Sequence, residues 1–71
     1  MSKEKVKEKV INIAHEFAKK YGEQSLRLNE NELMAYIIPY FSEIIEINTF
    51  RYYKWEMLNV FFKTVKEDLK H

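Results

Sequence analysis

Thr49-Phe50-Arg51-Tyr52-Tyr53-Lys54-Trp55 opens the run TFRYYKWEMLNVFFKTVKEDL, residues 49–69, and the periodicity of this run decides the fold class. Projected at about 100° per residue, Phe50, Tyr53, Met57 and Phe61 fall on one strip. Leu58, Val65 and Leu69 lie beside it, and Trp55 and Phe62 lie further round on the same side. Tyr52, Glu56, Asn59, Lys63, Lys66, Glu67 and Lys70 take the other side. The period is helical, with no sustained alternation of two. The apolar arc covers roughly 200°, about twice what a surface helix needs against one core. A broad aromatic arc is ordinarily core, because each ring buries a large area. In a short chain the surplus points instead to core plus a partner surface.

Working back from that run, residues 30–46 carry a second wide arc. Leu33, Ile37, Tyr40, Ile44 and Ile47 form the stripe, widened by Met34, Ile38, Phe41 and Ile45. Its start is well signalled. Asn29 is a favourable N-cap, Glu32 completes a capping box, and Leu28 with Leu33 has the spacing of a hydrophobic staple. Pro39 projects to the polar side with Ala35, Ser42 and Glu46. There it removes the bond to the Ala35 carbonyl, which predicts a helix kinked at Pro39, the alternative being two short helices. Asn48 or Thr49 is the expected cap of the helix that follows.

The first helix is expected over 3–21, capped by Ser2. Val6, Val10, Ile13, Phe17 and Tyr21 form its stripe, with Ala14 and Ala18 beside it. That arc has ordinary width. Gly22, the only glycine, sits where a left-handed residue ends a helix. Residues 23–28 read as a connection whose leucines cover the edge of the core.

The chain has 71 residues, enough for one domain with a small stability margin. Small domains commonly add a disulfide, a metal or a partner subunit. There is no cysteine, and no His/Asp/Glu set has evident ligand spacing, so oligomerisation is the expected support. The N-terminal run of alternating Lys and Glu is no signal peptide, and no apolar run approaches the ~18 residues of a membrane span. A cytoplasmic location is expected. Formal net charge is +1, so bulk electrostatics favour neither nucleic acid nor an acidic partner. Residues 1–20 carry six Lys and three Glu, residues 21–48 Arg27 and five Glu, and residues 49–71 five Lys/Arg and three acids. Mildly basic ends and an acidic middle read first as solvated helix faces.

Catalysis finds no constellation. The hydroxyl nucleophiles Ser2, Ser25 and Ser42 have only His15 and His71 as possible bases, and His15 projects to the polar side of its helix. A single glycine excludes a glycine-rich phosphate loop. Ala18-Lys19-Lys20-Tyr21-Gly22-Glu23-Gln24-Ser25 echoes the first helix and turn of a helix-turn-helix, but the acidic Asn29-Glu30-Asn31-Glu32 that follows would repel phosphate. A membrane-surface helix is a further reading of 50–70, although such a face is more commonly a packing face.

The sequence therefore predicts a single all-α domain, a three-helix bundle or small orthogonal helical array with helices near 3–21, 30–46 and 49–68. It is read as a non-catalytic interaction module that forms a homodimer and regulates or inhibits a protein partner by occlusion or bridging. Trp55, Phe62, Ile38 and Ile45 are the expected interface, with Tyr52 as an exposed contact. The alternative is a DNA-associated regulator using Arg51, Lys54, Lys63, Lys66 and Lys70. No cofactor, metal or small-molecule substrate is expected.

Overall fold

The computed structural model describes residues 3–70, which form four α-helices: α1 Lys3–Tyr21, α2 Glu30–Ile37, α3 Ile44–Tyr52 and α4 Lys54–Leu69. The all-α class expected from the periodicity is what the chain adopts. Ser2, the expected first cap, and His71 lie outside the described residues.

α1 buries Val6, Val10, Ile13, Ala14, Phe17 and Ala18, the stripe its 3.6-residue spacing defines. Tyr21 was expected on that stripe but stays partly exposed. The helix ends at Gly22, whose φ of 59° is the left-handed conformation that favours glycine. Gly22–Arg27 then winds as a 3-10 turn. Within it Ser25 is buried and its hydroxyl donates to the Phe17 carbonyl at 3.0 Å, tying the turn back onto the end of α1. Leu26 and Leu28 pack on the core edge.

The capping box at α2 is complete. Asn29 Oδ1 accepts from the Glu32 N–H at 2.9 Å, and Glu32 Oε1 accepts from the Asn29 N–H at 3.1 Å. Beyond Ile37 the chain departs from the kinked helix expected over 30–46. Ile38–Tyr40 tightens into a 3-10 turn containing Pro39, closed by the Phe41 N–H on the Ile38 carbonyl at 2.9 Å. Phe41 and Glu43 are extended, with ψ of 128° and 136°. The physical reason is a phase conflict. Phe41 and Phe50 are nine residues apart, and on one continuous helix they would point about 180° away from each other. Both are buried, and only a non-helical link can bring both to one core.

The expected break at residues 47–49 is also displaced. α3 runs through Asn48 and Thr49, and the Thr49 hydroxyl donates to the Ile45 carbonyl at 2.8 Å instead of capping a new helix. The break falls at Tyr53, where φ is −100° and ψ is 30°. A third long helix over 49–68 thus becomes two, joined by one residue.

α1 packs most extensively on α4. Lys3–Glu56 (3.2 Å) and His15–Asp68 (2.6 Å) link them near each end. Both pairs join residues 53 apart, so the two helices run in the same direction. Leu33, Ile37, Phe41, Phe50, Met57, Leu58, Phe61 and Val65 complete one core.

One polar side chain is buried in that core. Glu46, expected on the solvent side, is 1% exposed and accepts from Lys9 Nζ at 3.0 Å. The Lys9 ammonium also lies 5.4 Å from the centre of the Phe41 ring. Removing one partner of a buried pair leaves an uncompensated charge. Lys9→Ala should therefore lower stability by about 2–4 kcal/mol in urea denaturation, the lower end reflecting the part-solvated ammonium. Lys9→Met with Glu46→Leu should recover most of that loss. A cost below about 0.5 kcal/mol for Lys9→Ala would show that the pair does not hold α3 against α1.

Candidate interaction surface

The face of α3 opposite Glu46 and Phe50 is exposed. Burying Phe50 and the residue one turn before it fixes the rotation of the helix. Ile44, Asn48 and Tyr52, at i, i+4 and i+8, are thereby turned outward. Ile44 is 75% exposed, Ile45 beside it 52%, and Tyr52 81%. Trp55, in the first turn of α4, is 65% exposed. Four large apolar side chains thus lie open within twelve residues, the pattern that marks interaction sites more often than isolated exposed residues do.

The surface is held rather than loose. Tyr52 packs edge-on against Tyr53, ring centres 4.8 Å apart. Lys54 Nζ sits 4.7 Å from the centre of the Trp55 ring and is hydrogen-bonded to Glu30, tying the start of α4 to α2. The ammonium over the indole is a cation–π contact, which restrains the ring without covering it.

Of the side chains expected at the interface, Trp55, Ile45 and Tyr52 are exposed. Ile38 and Phe62 are half-buried and pack against the core. Ile44 was read as part of a core-facing stripe and is instead among the most exposed apolar residues, because that stripe assumed a helix running unbroken to residue 46. The alternative cationic set is divided. Lys54 is committed to Glu30 and Trp55. Arg51 is on α3, and Lys63, Lys66 and Lys70 share the outer face of α4 at i, i+3 and i+7, with Glu67 among them.

Concavities lie elsewhere. A shallow groove of about 430 Å³ is lined by His15, Glu16, Ala18, Lys19, Asp68 and Leu69. His15 Nδ1 is 2.6 Å from Asp68 Oδ2 there, but no hydroxyl or thiol side chain lines the groove for that imidazole to activate. A smaller pocket of about 160 Å³ is lined by Phe17, Tyr21, Gln24, Ser25, Leu28 and Tyr36. Phe17 is its centre, with Tyr21, Tyr36, Tyr40 and Phe61 packed edge-on around it at 5.2–6.2 Å. The Ser25 hydroxyl in this pocket is used by the Phe17 carbonyl. Among the described residues no group of three or more His, Cys, Asp or Glu side chains could hold a metal ion. Nor is any helix among them long and apolar enough to cross a membrane.

Comparison with protein-family models, curated proteins and solved structures finds no match to this chain.

Core and exposed aromatics should respond differently to truncation. Phe61→Ala, which opens a cavity at the α1–α4 contact, should cost about 3–5 kcal/mol. Trp55→Ala and Tyr52→Ala should each change the stability of the monomer by less than about 0.5 kcal/mol. Urea denaturation of dilute protein checks this, and a large loss for Trp55→Ala would mean that the indole supports the fold.

Proposed function

We propose that this chain is a non-catalytic helical interaction module that self-associates through the outer face of α3 and the start of α4, and that it regulates or inhibits a protein partner by occlusion or bridging. The observation that carries this reading is the exposure of Ile44, Ile45, Tyr52 and Trp55 together on a chain that has already packed its core. The Cα radius of gyration, 11.4 Å, is close to the ~11 Å expected for a compact chain of this length, so these side chains are not open because the helices have splayed apart.

The energetics favour a partner. Exposed apolar surface gains roughly 25 cal/mol per Å² when it leaves water. Tyr52 and Trp55 expose about 300 Å² between them, on the area an aromatic side chain can bury. With the two isoleucines this is a large part of the ~800 Å² that each side contributes to a standard interface. Aromatic residues at the centre of such a patch are the usual anchors of binding energy. The nucleic-acid alternative loses Lys54 to Glu30 and keeps cations on two different helices, which weakens phosphate tracking.

Sedimentation equilibrium is the direct test. A concentration-dependent rise from monomer to dimer is expected in the micromolar range, with Trp55 emission moving to shorter wavelength as dimer forms. Ile44→Asp should weaken association more than about tenfold by placing a charge in the apolar patch, without unfolding the monomer. A monomer at every concentration up to about 1 mM, where even weak association contributes ~4 kcal/mol, would refute self-association.

A further inference from the structure

We propose that the pocket at the end of α1 is a binding site for a small neutral phenol, a single aromatic ring carrying a hydroxyl. The site shares no residue with the exposed face of α3 and does not depend on self-association. It is built where the end of α1, the 3-10 turn Gly22–Arg27 and α2 come together, and its volume is about 160 Å³. An apolar cavity of about 150 Å³ holds one benzene-sized guest, so this space takes one ring and little more. Phe17 is buried and Leu28 half-buried, which gives the pocket an apolar floor. Tyr21 and Tyr36 line it as well, their rings standing at 75° and 76° to Phe17. Both rings stay exposed, so a guest ring can extend the edge-on packing that Phe17 already makes with each.

The polar groups decide which ring fits. The buried Ser25 hydroxyl is committed to the Phe17 carbonyl, so the inner part of the pocket offers a guest no hydrogen bond. The Gln24 carboxamide and the Tyr21 and Tyr36 hydroxyls have no hydrogen-bond partner among the described residues, and all three residues are exposed. An apolar floor under a rim of uncommitted polar groups orients a guest that is apolar at one end and polar at the other. Gln24 and the two tyrosines each supply both a donor and an acceptor, which is what a phenol hydroxyl needs. No charged side chain lines the pocket. A carboxylate or ammonium entering it would therefore lose hydration without gaining a counter-charge, and the guest is neutral. Lys20 lies 5.7 Å from the centre of the Tyr21 ring but is not part of the lining. A saturated ring of the same size would fill the space without the edge-to-face attraction.

Titration of the isotope-labelled chain with phenol, followed by NMR, tests the site. Saturable shifts centred on Phe17, Tyr21, Gln24 and Tyr36 are expected, with a Kd of about 1 mM, within reach of so small a ligand. Cyclohexanol, which lacks the aromatic ring, and benzene, which lacks the hydroxyl, should each bind about fivefold more weakly. Gln24→Leu, at an exposed position, should lower phenol binding towards that of benzene and leave the urea midpoint unchanged. Where that variant fails to fold, the comparison of phenol with benzene on the wild-type chain still reads the contribution of the hydroxyl. Absence of saturation up to about 20 mM phenol, or equal binding of phenol and cyclohexanol, would overturn the phenol site. So would shifts centred on Ile44, Tyr52 and Trp55, because phenol that merely partitions onto apolar surface should favour the most exposed side chains. A capped tyrosine peptide binding more than about tenfold tighter than phenol would assign the ring to a side chain of a protein partner and overturn the small-molecule guest.

Discussion

Phe41 and Phe50 are half a helical turn out of phase, and both must leave water. No straight helix through residues 30–52 can satisfy that requirement. The chain resolves it by abandoning the helix at Pro39, where one backbone bond is already lost, and restarting at Ile44 with a new rotation. Most other distinctive features of the structure follow from this restart. Phe50 turns inward, and Glu46, one turn earlier on the same face, is drawn in with it. Ile44, Asn48 and Tyr52 are turned out by the same rotation.

Glu46 makes the restart costly, and Lys9 offsets that cost. A carboxylate in an apolar core would lose several kcal/mol of hydration without a partner. Here the Lys9 stem lies along the core edge with its ammonium against both Glu46 and the Phe41 ring. The carboxylate also belongs to the first turn of α3, the positive end of that helix. The pair joins α1 to α3 and brings Lys9 onto Phe41, so one lysine contacts both sides of the non-helical link. The pairs Lys3–Glu56 and His15–Asp68 are more exposed, and solvent screening limits what they add.

The sequence made the all-α class, α1, its glycine stop and the Asn29–Glu32 capping box legible, because each rests on local spacing and short-range hydrogen bonds. The division of residues 30–52 was less legible. Reading Pro39 locally suggested a bend, since water can satisfy one carbonyl on a solvent-facing side. The phase conflict between Phe41 and Phe50 spans the proline, beyond the reach of local periodicity on either side of it. The same gap hid the burial of Glu46 and the exposure of Ile44. The exposure of Trp55 and Ile45 is legible for a different reason, since the apolar arcs are too wide for one core wherever the helices end, and that of Tyr52 because it projects to the polar side of its run. Ile38 and Phe62 show the limit of that reasoning, since arc width says that something must remain outside but not which side chain.

Chain length explains why the surplus was not absorbed. A domain of this size removes only about 60% of its unfolded surface from water, and the two longest helices already use their faces on one another. α3 is nine residues long and lies at the edge, so only one side of it can be covered from within. A polar outer face would have left such a helix solvated and inert. This one instead carries two isoleucines, a tyrosine and, just beyond, the only tryptophan. Because the link at residues 41–43 sets the rotation of α3, the packing of Phe41 and Phe50 also determines which surface a second molecule meets.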